Sequence, residues 1–214
     1  MSVDAPRPTN FRGIPISADT KVVTYVSPGL ESWRGFDIFM KMAKRMCDER
    51  SDVIFLIAGD ERTQYGYELN HIGPQSFKQY VLSQDNYDLS RFHFLGIIPT
   101  QDLVTLFSLS DMHVYLTIPF VLSWSLMQAM SAGCTILSSA TPPVMEMIEH
   151  GKHGLLSEFY DVDAMTRHAR EVLRDPEAYR HLGVTARERI LEKYEKAHCI
   201  RQMVKLFESV MTRK

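Results

Sequence analysis

Residues 21–50, KVVTYVSPGLESWRGFDIFMKMAKRMCDER, decide how the rest of the chain is read. The run 22–26 is β-branched and aromatic, which predicts a buried strand. A glycine-bearing loop follows. From 35 to 50 the residues Phe36, Phe39, Met40, Ala43, Met46 and Cys47 recur at spacings of three and four, the mark of a helix that buries one stripe. A strand feeding a loop and then an amphipathic helix is the opening half of a parallel βαβ unit.

Outward from this unit the pattern repeats. Further strands are predicted at 53–58, 92–95, 112–116 and 135–137, with a shorter sixth at 154–157. Helices are predicted at about 75–84, 101–109, 123–132 and 143–149, with Thr100 and Ser123 as N-caps and Gly133 as a C-cap. Beyond Tyr160 the chain reads as three consecutive helices, 161–174, 177–194 and 197–212. The expected fold is α/β: a doubly wound, Rossmann-like parallel sheet of about six strands, helices on both faces and a helical C-terminal extension. Residues 1–20 carry three prolines and little periodicity, and read as an extended arm or linker rather than a packed element. The domain is expected over 21–194, and 195–214 as a C-terminal helix. Neither repeats nor low-complexity tracts interrupt it.

Composition narrows the function classes. A chain of 214 residues that is 45% hydrophobic and 23% charged can build a core without disulfides or metals. The formal net charge of −2, with no cluster of Lys and Arg, argues against a dedicated nucleic-acid binder. Cys47, Cys134 and Cys199 are odd in number and without metal-ligand spacing, so they read as reduced thiols, Cys47 and Cys134 as core filler. No apolar run has the length of a membrane span and no signal peptide is evident, which makes the cytoplasm the expected location.

In an open parallel sheet, ligands bind beyond the carboxyl ends of the strands. Two strand-to-helix turns suit an anion there. In residues 27–35, SPGLESWRG, a flexible loop and Arg34 could clamp a diphosphate through charge-assisted hydrogen bonds; read alone, the residues favour a plain surface arginine at a helix start. In residues 116–125, LTIPFVLSWS, backbone N–H groups from Leu122 through Ser123 to Ser125 could meet a phosphate, with Gln128 further along the helix. The residues alone favour a plainer reading, a buried connection in which Phe120, Val121 and Trp124 pack.

Other chemistries lack their marks. There is no dinucleotide fingerprint, no phosphate loop ending in Gly-Lys-Ser or Gly-Lys-Thr, and no spacing that names a catalytic Ser, His and Asp set. His150 and His153 lack a third ligand for zinc, and His113, inside a strand, reads as a core residue.

Taken in order, the segments VVTYVSPGLESWRGFDIFM, FLIAGD, FHFLGIIPTQDLVTLFSLSDMHVYLT, SLMQAMSAGC and TPPVMEMIEHGKHGLL resemble the C-terminal domain of the group 1 family of retaining nucleotide-sugar glycosyltransferases, which have the GT-B fold. The resemblance covers about two thirds of the chain, from Lys21 to about Tyr160. It implies that the chain binds a nucleoside diphosphate sugar as substrate, with no cofactor and no metal. It also implies that an N-terminal acceptor-binding domain, in cis or as a separate subunit, completes the enzyme. The last helix would then pack toward that domain.

Carried over residue by residue, Arg34 matches the basic residue that holds the donor pyrophosphate, and Gly29 belongs to its loop. Pro28 stands where a second basic residue is usual. The family's two glutamates fall on Phe120 and Gln128, so both carboxylates are absent; Gln128 could keep a ribose hydrogen bond and Phe120 could pack beside the sugar. Gly59, Gly96 and Ile97 would lie near the nucleotide, Ile97 over the base. These departures leave open a second reading, a non-catalytic nucleotide-sugar-binding or protein-interaction module. A third is a scaffold whose exposed face recruits a partner.

Overall fold

The computed structural model describes residues 7–211. Its main sheet is built from β3 (Lys21–Gly29), β4 (Val53–Asp60), β5 (Phe92–Gly96), β6 (Met112–Tyr115), β7 (Ile136–Ser139) and β8 (Leu155–Ser157), in the spatial order β5-β4-β3-β6-β7-β8. Every pairing is parallel; Tyr25 lies opposite Ile57 on one side and Val114 on the other. The strand order reverses direction between β3 and β6. That switch point opens a crevice at the strands' carboxyl ends, because the following helices leave in opposite directions.

The alternation of side chains along β3 divides the core in two. Val23 and Tyr25 face α1 (Phe36–Glu49), α3 (Phe77–Ser83) and α7 (Val162–Arg174). Val22 and Val26 face the opposite layer, with α4 (Thr100–Leu109), α5 (Trp124–Ala132), α6 (Pro142–Met147) and part of α8 (Pro176–Tyr194). Helix α1 buries more than one stripe: Ile38 and Met42 are as covered as Phe39 and Met46, because α7 packs along its flank on the same face of the sheet. A short α2 (Leu69–Ile72) interrupts the long loop after β4, and α9 (Lys196–Met211) ends the described chain. The expected last helix runs to Thr212, which lies outside the described residues.

Two expectations are corrected. Residues 1–6 of the predicted arm lie outside the described residues, but 7–20 are anchored to the domain through Phe11 and Ile16. Here β1 (Asn10–Phe11) and β2 (Ile14–Pro15) form an antiparallel hairpin turning at Arg12 and Gly13, both at positive φ. Phe11 and Ile16 insert into the α4–α5 side of the core. Arg7 pairs with Asp111 at 2.8 Å, and the same carboxylate accepts the Val22 N–H at 2.7 Å. Isolated apolar residues between prolines carry no period, so the sequence did not mark this contact. The N-cap of α4 is Pro99 rather than Thr100: the Pro99 carbonyl accepts the N–H groups of Asp102 and Leu103, which makes Thr100 the first helical residue. Ser123 and Gly133 do cap α5, the first through an oxygen that accepts the Ser125 N–H, the second with φ 82°.

Candidate functional site

Between β3 and α1 the chain makes one turn of 3-10 helix, Ser32–Arg34, and leaves it through Gly35 at φ 64°. A Cβ at Gly35 would sit 2.8 Å from the Leu116 side chain, so this glycine lets the turn press against the end of β6. Arg34 is thereby directed inward and is 3% exposed. Its Nη1 donates to Thr117 Oγ1 and to the Val121 carbonyl, both at 3.0 Å. Tyr65 and Phe120 flank the guanidinium, each ring centroid 5.5 Å from Cζ. Tyr25 donates its hydroxyl to the Arg34 carbonyl at 2.7 Å, and burial raises the pKa of that phenol.

This arginine has no acidic partner within 4 Å among the described residues, and its Nε makes no hydrogen bond. A buried guanidinium cannot shed its charge and is costly to leave unpaired. Carbonyl, hydroxyl and aromatic faces supply partial compensation here. Beside it opens a cavity of about 270 Å³, lined by Pro28, Tyr65, Phe120, Val121, Leu122, Ser123 and Trp124. The arrangement suits an anion with an apolar body. The carboxylates of Glu31 and Glu68 are each held by backbone N–H groups of neighbouring loops.

The predicted site residues therefore divide. Arg34, Phe120, Leu122 and Ser123 converge on this cavity. The amide of Ser123 is already donated to the Tyr115 hydroxyl at 2.8 Å, a phenol whose pKa burial raises. Gly29 is turned toward the loop after β4: a Cβ there would lie 2.8 Å from the Arg62 carbonyl. Gln128 is half-buried on α5 and does not line the cavity. Gly59 packs against β3, where a Cβ would meet the Ser27 carbonyl at 2.7 Å. Gly96 and Ile97 lie at the open end of β5, with Ile97 75% exposed.

Sequence reasoning passed over Tyr65, Thr117 and Glu31. For Tyr65 a signal exists, the aromatic pair Tyr65 and Tyr67 around Gly66 inside a polar loop. For Thr117 and Glu31 it does not, since their roles arise only where separate loops meet.

His113, His150 and His153 are structural in this arrangement. His113 is fully buried, with Nδ1 2.9 Å from Thr24 Oγ1, and burial lowers its pKa to about 3. His150 and His153 accept the N–H groups of Leu156 and Glu149. Among the described residues no three His, Cys, Asp or Glu side chains gather as a metal site. Cys134 is buried and Cys47 half-buried, and burial lifts their thiols to about 12 and about 11. A larger cavity of about 380 Å³ lies at the other end of the sheet, beside Lys44, Cys47, Asn86 and Arg91. Its cations are engaged: Lys44 pairs with Asp48, and Arg91 donates to the Arg50 and Cys47 carbonyls and pairs with Asp88. The smaller cavity is the better anion site for that reason.

Comparison with known proteins finds relatives of the same fold. The N-acetyl-alpha-D-glucosaminyl L-malate synthase of Bacillus anthracis is 24% identical over 196 residues, covering 92% of this chain and 47% of the relative. This chain thus spans about half the length of that enzyme. The Anabaena protein HepE, solved in complex with UDP-glucose, superposes with a TM-score of 0.75 at 18% identity, over 90% of this chain and 50% of that one. The C-terminal domain of the group 1 family protein LpcC from Francisella tularensis superposes with a TM-score of 0.67 at 15% identity, over 83% of this chain and 88% of that one. Among the described residues no helix is long and apolar enough to cross a membrane. The family model described as glycosyl transferases group 1 matches residues 6–189, and the chain belongs to that family.

Proposed function

We propose that this chain is the donor-binding half of a retaining glycosyltransferase, holding a nucleoside diphosphate sugar at the Arg34 cavity. The observation that carries this is the buried Arg34 guanidinium, without an acidic partner, at the mouth of the β3/β6 crevice. A diphosphate would complete its hydrogen bonding, and the start of α5 would add a helix dipole. Binding of UDP-glucose by HepE, a protein of the same fold, supports this substrate class.

In the proposed reaction the bond from the anomeric carbon to the diphosphate breaks and the sugar passes to an acceptor oxygen with retention. Negative charge grows on the departing diphosphate, where Arg34 is placed to stabilise it. Gln128 would reach a ribose hydroxyl only from deeper in the crevice. An N-terminal domain, in the same natural chain or as a separate subunit, would supply the acceptor site. Helix α9, which has no buried residue of its own, is the element that would pack toward it.

One observation favours a second reading, binding without transfer. Phe120 is engaged in an aromatic cluster, 5.1 Å from the Trp33 ring and 5.4 Å from that of Tyr65, where the family carries a carboxylate. Both readings require nucleotide binding. Calorimetric titration of UDP, GDP and ADP tests it: one should bind saturably, and Arg34→Ala should weaken it about ten- to a hundredfold, the worth of a charge-assisted hydrogen bond or two. No binding of any of the three at millimolar concentration would end the donor-site reading. With a nucleotide bound, sugar transfer by the chain once an N-terminal domain is restored separates the two readings.

A further inference from the structure

Two buried carboxylates tie the loop after β4 to the loop that carries Arg34. Glu31 is 0% exposed, and its Oε2 accepts the backbone N–H groups of Gln64, Tyr65 and Gly66 at 2.8, 2.9 and 3.2 Å. Glu68, from the other loop, accepts the Ser32 N–H at 2.8 Å. The clasp runs in both directions. It depends on close approach, since a Cβ on Gly66 would lie 1.8 Å from Glu68 Oε2 and one on Gly29 would lie 2.9 Å from Gln64 Cγ. Neither glutamate forms an ion pair with a cation within 4 Å among the described residues.

Three consecutive amides on one carboxylate oxygen fix the orientation of a backbone segment, because each bond constrains a separate peptide plane. The segment fixed here carries Tyr65, whose ring stands over Arg34 and against Phe120. Loops after strands are otherwise the mobile parts of such a fold. We propose that Glu31 is a positioning residue for the anion site: it never touches the ligand, but holds Tyr65 as the wall that keeps the Arg34 guanidinium shielded from water and aimed into the cavity. Glu68 reinforces the clasp from the opposite loop. This inference rests on the donor-binding reading for its ligand, and on the loop geometry alone for its mechanism.

The mechanism makes Glu31 and Tyr65 act as a unit, so their effects on binding must be coupled. The test uses Glu31→Gln, Tyr65→Ala and the double variant, with UDP as the probe, and follows amide hydrogen exchange at Tyr65 and Gly66. Glu31→Gln should speed exchange at those two amides by at least about tenfold while sheet amides stay protected. UDP affinity should fall about fivefold, in line with a lost cation–π wall. That fall should vanish when Glu31→Gln is made in the Tyr65→Ala background. Were Glu31→Gln not to fold, Glu68→Gln loosens the same loop from the other side and should shift exchange and affinity in the same direction. An undiminished loss in the Tyr65→Ala background, or unchanged exchange, would overturn the proposal. If the unmodified chain binds no UDP, the donor reading is what fails, and the exchange result alone decides whether Glu31 clasps the loop.

Discussion

The rim around Arg34 and the surface of α9 are uncovered in opposite senses. At the rim the fold buries a charge with no opposite charge beside it; along α9 it exposes apolar side chains with nothing packed over them. Ile200, Met203, Val204, Phe207 and Val210 recur at helical spacing as regularly as Met165, Ala169, Val172 and Leu173 do on α7, yet the α7 set is fully buried and the α9 set is exposed. Periodicity establishes that a face is apolar and says nothing of what covers it. On the proposed donor-half reading, the α9 face would pack toward an acceptor-binding domain and the anion would lie between the two.

The largest effect is expected on the covered helix. Leu173→Ala on α7 should cost about 3 kcal/mol in urea unfolding, the usual loss for emptying a leucine site in a packed core. A loss below about 1 kcal/mol would mean that α7 is no better covered than α9. Arg34→Met, which keeps bulk between Tyr65 and Phe120 but removes the charge, should weaken UDP binding by about 2 kcal/mol while the fold persists. Binding that survived it would show that the aromatic walls, not the cation, make the site.

His113 sharpens the contrast with Arg34, since both are buried but only the histidine can become neutral. Its pKa is about 3 when folded against 6.5 for a free imidazole. The unfolded chain therefore binds the extra proton between those values. The stabilising effect is complete above pH 6.5 and is lost as the pH falls toward 3, at up to about 1.4 kcal/mol per pH unit. His93, His153 and His168, also lowered by burial, add to the slope. His113→Phe should flatten the dependence of unfolding free energy on pH between 4 and 6.5, leaving only their share. An unchanged slope would place the acid sensitivity elsewhere. The smallest effect is expected at Phe207→Ser on α9, within about 0.5 kcal/mol, as for a surface site. A larger loss would reveal that α9 is covered in solution.

The strands from β3 to β6 were readable because each carries β-branched or aromatic residues in a compact run; β7 and β8 carry weaker marks. The order of strands was not readable, since it depends on which runs pair at a distance. Arg34 was readable as a cation closing a glycine-bearing loop. Its surroundings were not: Tyr65, Thr117 and Phe120 come from loops 31 to 86 residues away, and nothing local links them to it. Gly29 and Gly59 illustrate the converse, where a glycine expected beside a ligand is explained by another backbone pressed against it.

Arg34 is the side chain on which donor binding turns, and nitrogen-15 NMR observes it directly. During a UDP titration the Arg34 Nε–H resonance and the amides of Leu122 to Ser125 should move together and saturate, with Asn86 and Asp88 at the other cavity unaffected. Shifts confined to the Asn86 cavity, or no shift at Arg34 at millimolar UDP, would show that Arg34 does not hold the diphosphate.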